Sequence, residues 1–228
     1  MPKLFVIPVG FQAEYHIRAL IDVQAKPSDL DVILALMPAE TSEEARDRTQ
    51  KAFETLRGIF KAKVNSLVVN ISKPEDAIPQ IISSVLKLVR EVNADEVVFM
   101  VSGGVRAIGM YMLMANLLLN KVSLKSRFYV IAENLNTLIE LTDLLRPIST
   151  VDLSETKLML LKELEGGGCL KASDLSDRVN LDSSTINRHL SDLEDNGLVK
   201  RGSRGRCYGI TRLGLMLLRA YLELRKSS

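Results

Sequence analysis

Hydrophobic residues along the first 132 positions follow two alternating spacings. Short apolar runs occur at 4–9 (LFVIPV), 31–36 (DVILAL), 66–71 (SLVVNI), 96–101 (EVVFMV) and 127–132 (RFYVIA). Between them the apolar positions recur at helical spacing: Ile17, Leu20 and Ile21 within 14–24; Phe53, Leu56, Ile59 and Phe60 in a helix capped by Thr41 through TSEE; Ile78, Ile81, Ile82, Val85 and Val89 within 73–92; and a further helix over 104–119. Unbroken apolar strands separated by single helices predict a mainly parallel sheet covered on both faces. The pattern therefore predicts an α/β, Rossmann-like domain over 1–132. Residues 133–153 read as a linker with a short helix near 137–145 that ends at Arg146-Pro147. From 154 onward the spacing is helical, broken at Gly166–Gly168, and residues 154–228 form a second domain.

Within that second domain, Ile186, Leu190 and Leu193 fall on one face of a helix that follows Asp182. The opposite face and its start carry Ser183, Ser184, Thr185, Asn187, Arg188 and Ser191, which are small or groove-reading side chains. His189 lies at the apolar border and suits packing or a phosphate-side position. Taken alone the helix is equally a solvated amphipathic surface. Its context argues otherwise: a short helix before it, the turn Asn180-Leu181-Asp182, and a hairpin after it with Lys200, Arg201, Arg204, Arg206 and Arg212 and no acidic residue. This is the layout of a winged helix-turn-helix on double-stranded DNA, and no catalytic or metal-binding role is expected there. The order SSTINRHLSDLEDNGLVKR resembles winged-helix repressors of the multiple-antibiotic-resistance and arsenic-resistance types over about 155–214. In such regulators the last helix, here with Leu213, Met216, Leu217, Ala220, Tyr221 and Leu224 on one stripe, pairs with its twin; packing within its own subunit is the alternative.

Charge changes this picture little. Residues 1–150 are balanced, and the net excess of +2 lies in residues 151–228, with 13 Lys/Arg against 11 Asp/Glu. Cys169 and Cys207 form no CxxC pair, so neither zinc nor a disulfide framework is expected, and two sparse thiols fit a reducing cytoplasm. No apolar run reaches membrane-spanning length, and the first residues lack the pattern of a signal peptide. A cytoplasmic location is the expectation.

The α/β domain carries one chemical constellation. The strand at 96–101 runs into Ser102-Gly103-Gly104-Val105-Arg106 and a helix. Two glycines at such a turn let backbone N–H groups converge on an anion, helped by the helix dipole, a Ser102 hydroxyl and the Arg106 fork. Gly10 and Phe11 close the first strand in the same way, and Phe11 can stack on a base. A plain tight turn with Arg106 in a surface ion pair remains open. Neither GxGxxG nor GxxxxGK[ST] occurs, so a dinucleotide cofactor and an ATPase are disfavoured.

Pro8-Val9-Gly10-Phe11, Ser102-Gly103-Gly104-Val105-Arg106 and a C-terminal winged helix together resemble archaeal CRISPR-associated transcriptional regulators with a CARF (CRISPR-associated Rossmann fold) domain. The resemblance implies a homodimer whose two CARF domains share one pocket for a cyclic oligoadenylate, typically cyclic tetra-adenylate. It also implies control of CRISPR promoters, and a pocket of Gly10, Phe11, Ser102, Gly103, Gly104 and Arg106. A regulator without enzymatic activity or resident cofactor is the expectation. One alternative is cleavage of the cyclic nucleotide, which would need a base near Ser102; no His or Lys is near it in sequence, and His16 reads as a helix-surface residue. The other is an α/β domain that only dimerises or senses a different anion.

Overall fold

The computed structural model describes residues 2–22, 31–39, 42–60, 63–121, 124–132, 137–166, 168–202 and 207–226. The chain divides into two compact units, Met1–Leu145 and Arg146–Ser228.

In the first unit the strands are β1 (Lys3–Pro8), β2 (Val32–Pro38), β3 (Lys63–Val69), β4 (Glu96–Val101), β5 (Ser126–Ala132) and β6 (Thr137–Glu140). They form one sheet in the order β3-β2-β1-β4-β5-β6. The first five pair in parallel; β6 runs antiparallel to β5, with Tyr129 opposite Glu140. Helices α1 (Ala13–Asp22), α2 (Glu43–Ile59), α3 (Pro74–Val92) and α4 (Arg106–Asn120) make the crossovers. Alternation along the strands divides the core in two. Leu4, Val6, Leu34, Val97 and Phe99 pack with Ile81, Val85, Ile108 and Met112 of α3 and α4. Phe5, Ile7, Ile33, Val98 and Met100 pack with Leu20, Phe53 and Leu56 of α1 and α2. Burial on both faces is why the strands are continuously apolar rather than alternating. The order reverses between β1 and β4, and at such a switch point the outgoing loops part to leave a crevice at the carboxyl ends of the strands.

Several expectations change. The segment read as a linker contains β6 and α5 (Thr142–Thr150), not one short helix. Leu138 and Leu145 each reach one of the two core layers, so this segment completes the sheet domain. Helix α5 also continues through Pro147: the ring removes one N–H, and the ladder resumes with Val151 N–H on the Pro147 carbonyl at 2.9 Å. Ile21 and Ile59 are each about half exposed, 52% in both cases, because the buried stripes turn slightly from those positions. The α2 cap falls on Ser42, whose hydroxyl accepts from Ala45 N–H; Thr41 lies outside the described residues.

The second unit contains α6 (Glu155–Glu165), α7 (Ala172–Val179), α8 (Ser183–Asp195), β7 (Val199–Arg201), β8 (Tyr208–Ile210) and α9 (Arg212–Lys226). Leu161, Leu175, Ile186, Leu190, Leu193 and Leu218 meet in its core. Strands β7 and β8 pair antiparallel, and Leu170 makes an isolated antiparallel bridge to Tyr208 at the base of the wing. Contrary to the thiol expectation, Cys169 and Cys207, which flank that bridge, are joined by a disulfide. Their separation of 38 residues hides the pairing in the sequence, whereas the Leu170–Tyr208 bridge sets their Cα atoms 5.2 Å apart. Gly202 leaves the room this bond occupies: a Cβ there would stand 2.6 Å from the Cys169 sulfur.

Candidate functional site

At the switch point the loops after β1 and β4 nearly touch. A Cβ on Gly10 would lie 2.6 Å from the Gly104 Cα. Gly103 and Gly104 have φ of 114° and 84°, a left-handed region that side-chain-bearing residues rarely adopt. The two turns border a cleft of about 580 Å³, lined by Gly10, Phe11, Gln12, Ser102, Gly103, Gly104 and Val105 and, from the helices, by His16, Arg48 and Thr49. Val105 caps α4 without a side-chain hydrogen bond, and the first turn of that helix holds no acidic residue. The positive end of the helix dipole is therefore left for an anion.

The cleft floor differs from the sequence expectation in one respect that decides its chemistry. His16 is not on a helix surface; it is 1% exposed, beneath the two loops. The Gly10 N–H donates to its Nε2 at 3.0 Å, and its Nδ1 lies 2.6 Å from the Ser102 hydroxyl. Because Nε2 accepts, the ring proton of neutral His16 is on Nδ1, which donates to Ser102. Burial lowers the His16 pKa to about 4, against a smaller opposing pull from Glu14. Ser102 itself is fully buried. The Gly10 N–H, expected to meet a phosphate, is instead taken by His16, and the Ser102 oxygen accepts from the same ring, so the two contacts lock the floor. Arg106 also departs from expectation: it is exposed at the first position of α4 and lies outside the cleft lining. Gly103, Gly104 and Phe11 do line the cleft, and Phe11 is 54% exposed.

Sequence reasoning missed His16 and Arg48. The signal for His16 was available, since Ala13, His16 and Leu20 at i, i+3 and i+7 form the buried stripe of α1. Arg48 gives no comparable sign: it sits on the polar side of α2, and only the fold brings it to the cleft.

In the second unit, Ser183, Ser184, Asn187, Arg188 and Ser191 are exposed on α8, and Thr185 and His189 are half-buried. Asp182 caps the helix, accepting from the Thr185 N–H at 2.9 Å and from the hydroxyls of Ser184 and Thr185. Those hydrogen bonds, the Ser184 hydroxyl first, hold its carboxyl well below the usual carboxylate range. Two of the expected groove-reading hydroxyls are thus turned back onto the cap, leaving Ser183, Asn187, Arg188 and Ser191 as the outward polar residues. Burial, with help from Arg188 and Lys157 against Asp192, lowers the His189 pKa. Lys200 is exposed on β7. Arg201 donates to Glu194 at 2.9 Å and lies over the Tyr208 ring, 5.4 Å from its centroid. Arg204 and Arg206 lie outside the described residues.

A mainly parallel sheet with a glycine-bordered cleft at its switch point, followed by a winged helix-turn-helix, defines a two-part protein: a Rossmann-like domain and a domain of DNA-binding type. Residues 3–142 match the family described as "Csa3 CRISPR-associated Rossmann-like domain", and residues 153–200 match "Winged helix-turn-helix DNA-binding". The chain belongs to the Csa3 family. It is 28% identical, over 205 residues, to a protein of Thermoproteus tenax named "CRISPR locus-related putative DNA-binding protein Csa3"; the match covers 89% of this chain and 88% of that one. Among the described residues no helix is long and apolar enough to cross a membrane.

Proposed function

We propose that this chain is a cytoplasmic, homodimeric transcription regulator of CRISPR genes. It binds duplex DNA through α8 and the wing, and a cyclic oligoadenylate, typically cyclic tetra-adenylate, through paired clefts. The observation that carries the DNA half is the outward row Asn187, Arg188 and Ser191 on a helix whose other face is core. Asn and Arg are the side chains that pair with adenine and guanine edges. For the ligand half, the support is the uncapped start of α4 beside Gly103 and Gly104. A cleft of about 580 Å³ is in the range that takes one drug-sized molecule, roughly 300–1,000 Å³, and half of a four-nucleotide ring is a molecule of that size. The ligand regulates only through an affinity difference between two dimer arrangements with different spacings of the α8 helices.

One feature favours a second reading. Ser102 and His16 lie 2.6 Å apart, as a nucleophile and its base would. Their polarity is wrong for cleavage: Nδ1 already carries the proton and cannot take the one on Ser102. A binding protein is the better reading.

Fluorescence anisotropy with labelled duplexes from CRISPR promoters, with and without cyclic tetra-adenylate, tests the proposal. Tight binding to one promoter segment, changed several-fold by the ligand, is expected. Equal affinity for all duplexes, or indifference to ligand, would contradict it. Chromatography of the incubated nucleotide should return it intact.

A further inference from the structure

Phe11 and Arg48 face each other at the cleft, and the packing of the domain accounts for neither. The Phe11 ring is 54% exposed. The guanidinium carbon of Arg48 sits 5.9 Å from the centre of that ring. The carboxylate beside Arg48 is Glu44, one turn earlier on the same exposed helix face and 3.4 Å away. Exposed pairs of this kind, and exposed cation–π contacts, are weak and easily exchanged. Among the described residues Arg48 is the one cationic side chain that lines the cleft. The arginine suggested by the sequence, Arg106, lies outside that lining.

We propose that Phe11 and Arg48 form a clamp for one nucleotide unit, the base stacking on Phe11 and its phosphate held by Arg48. The base takes the ring face that the guanidinium now covers, and the released fork turns to the phosphate attached to that base. Aromatic faces accept any base but reward the larger purine surface, so the clamp favours purine nucleotides. The fork meets two phosphate oxygens at once, which lysine cannot do. The assignment rests on the nucleotide reading of the cleft.

Isothermal titration of the full chain with cyclic tetra-adenylate, linear tetra-adenylate and AMP provides the test, on wild type, Arg48→Ala, Arg48→Lys, Phe11→Leu, Arg106→Ala and Arg57→Ala. All four side chains are exposed, and unchanged thermal unfolding confirms that each variant folds. Arg48→Ala and Phe11→Leu should each weaken binding about ten-fold, Arg48→Lys should fall between, and Arg57→Ala should match wild type. Wild-type affinity in both Arg48→Ala and Phe11→Leu, with the loss appearing in Arg106→Ala, would overturn the clamp and leave the nucleotide reading standing. Failure of wild type to bind any of the three nucleotides would overturn both.

Discussion

The cleft floor and the face of α8 use polar side chains in opposite ways. Beneath the cleft, Gly10, His16 and Ser102 are buried and hydrogen-bonded to one another. On α8, Asn187, Arg188 and Ser191 are exposed, and only the start of the helix is tied down, by Asp182. A buried polar group whose partner is removed costs the full penalty of an unmet hydrogen bond, whereas an exposed one is met by water. The floor is therefore where shape is fixed, and the α8 face is where binding can vary without unfolding the unit.

The largest expected effect tests whether the second unit has a rigid point of its own. Cys207→Ser opens a link across 38 residues at the base of the wing and should lower the stability of that unit by up to about 4 kcal/mol. Denaturation with and without reductant checks this; a shift in wild type but none in the variant is expected. Next is the loop contact in the first unit. Gly10→Ala forces a Cβ to 2.6 Å from the Gly104 backbone and should cost about 3 kcal/mol or more. Thermal unfolding would show it, and near-wild-type stability would mean that the loops are not held together.

Replacing His16 by Phe strands the Gly10 N–H and the Ser102 hydroxyl and should cost about 2–4 kcal/mol. Gln, which both accepts and donates, should cost less. The same residue gives a pH signature. Folded His16 stays neutral down to about pH 4, while an unfolded histidine takes up its proton near 6.5, so the unfolded state binds more protons between those values. Stability should fall as the pH drops from about 6.5 to about 4, by at most about 3 kcal/mol, and then level off. Denaturant midpoints across that range, compared with His16→Gln, isolate the slope.

The smallest effect belongs to the exposed cap. Asp182→Ala should cost about 1 kcal/mol, and Asp182→Asn a few tenths. Asp182→Asn also removes a negative charge from the DNA-facing end of α8 and should tighten duplex binding, an outcome anisotropy can read. Unaltered or weaker DNA binding would place that end of the helix away from the phosphates.

Much of the fold was legible because burial dictates pattern. The first two strands and their two-sided apolar character follow from a covered parallel sheet, and α8 was readable from Ile186, Leu190 and Leu193 against Asn187 and Arg188. What escaped notice depended on contacts distant in sequence. Four residues cannot advertise themselves as an antiparallel edge strand, so β6 was hidden until Val130 found Ile139. His16 and Ser102, 86 positions apart, meet only because β1 and β4 are neighbours. Glycines in the turns were readable as a close approach of two loops, but the contacts beneath them were not: a sequence does not say that the Gly10 N–H donates to His16 and that the Ser102 oxygen accepts from it. The disulfide failed for the same reason, since the two cysteines meet only through the Leu170–Tyr208 bridge.

Calorimetric titration of cyclic tetra-adenylate into the full chain tests the central claim most directly, because it counts rings as well as measuring their affinity. Two half-sites sharing one ligand predict saturation at one ring per two chains. Saturation at one ring per chain, or no heat at any concentration, would contradict it.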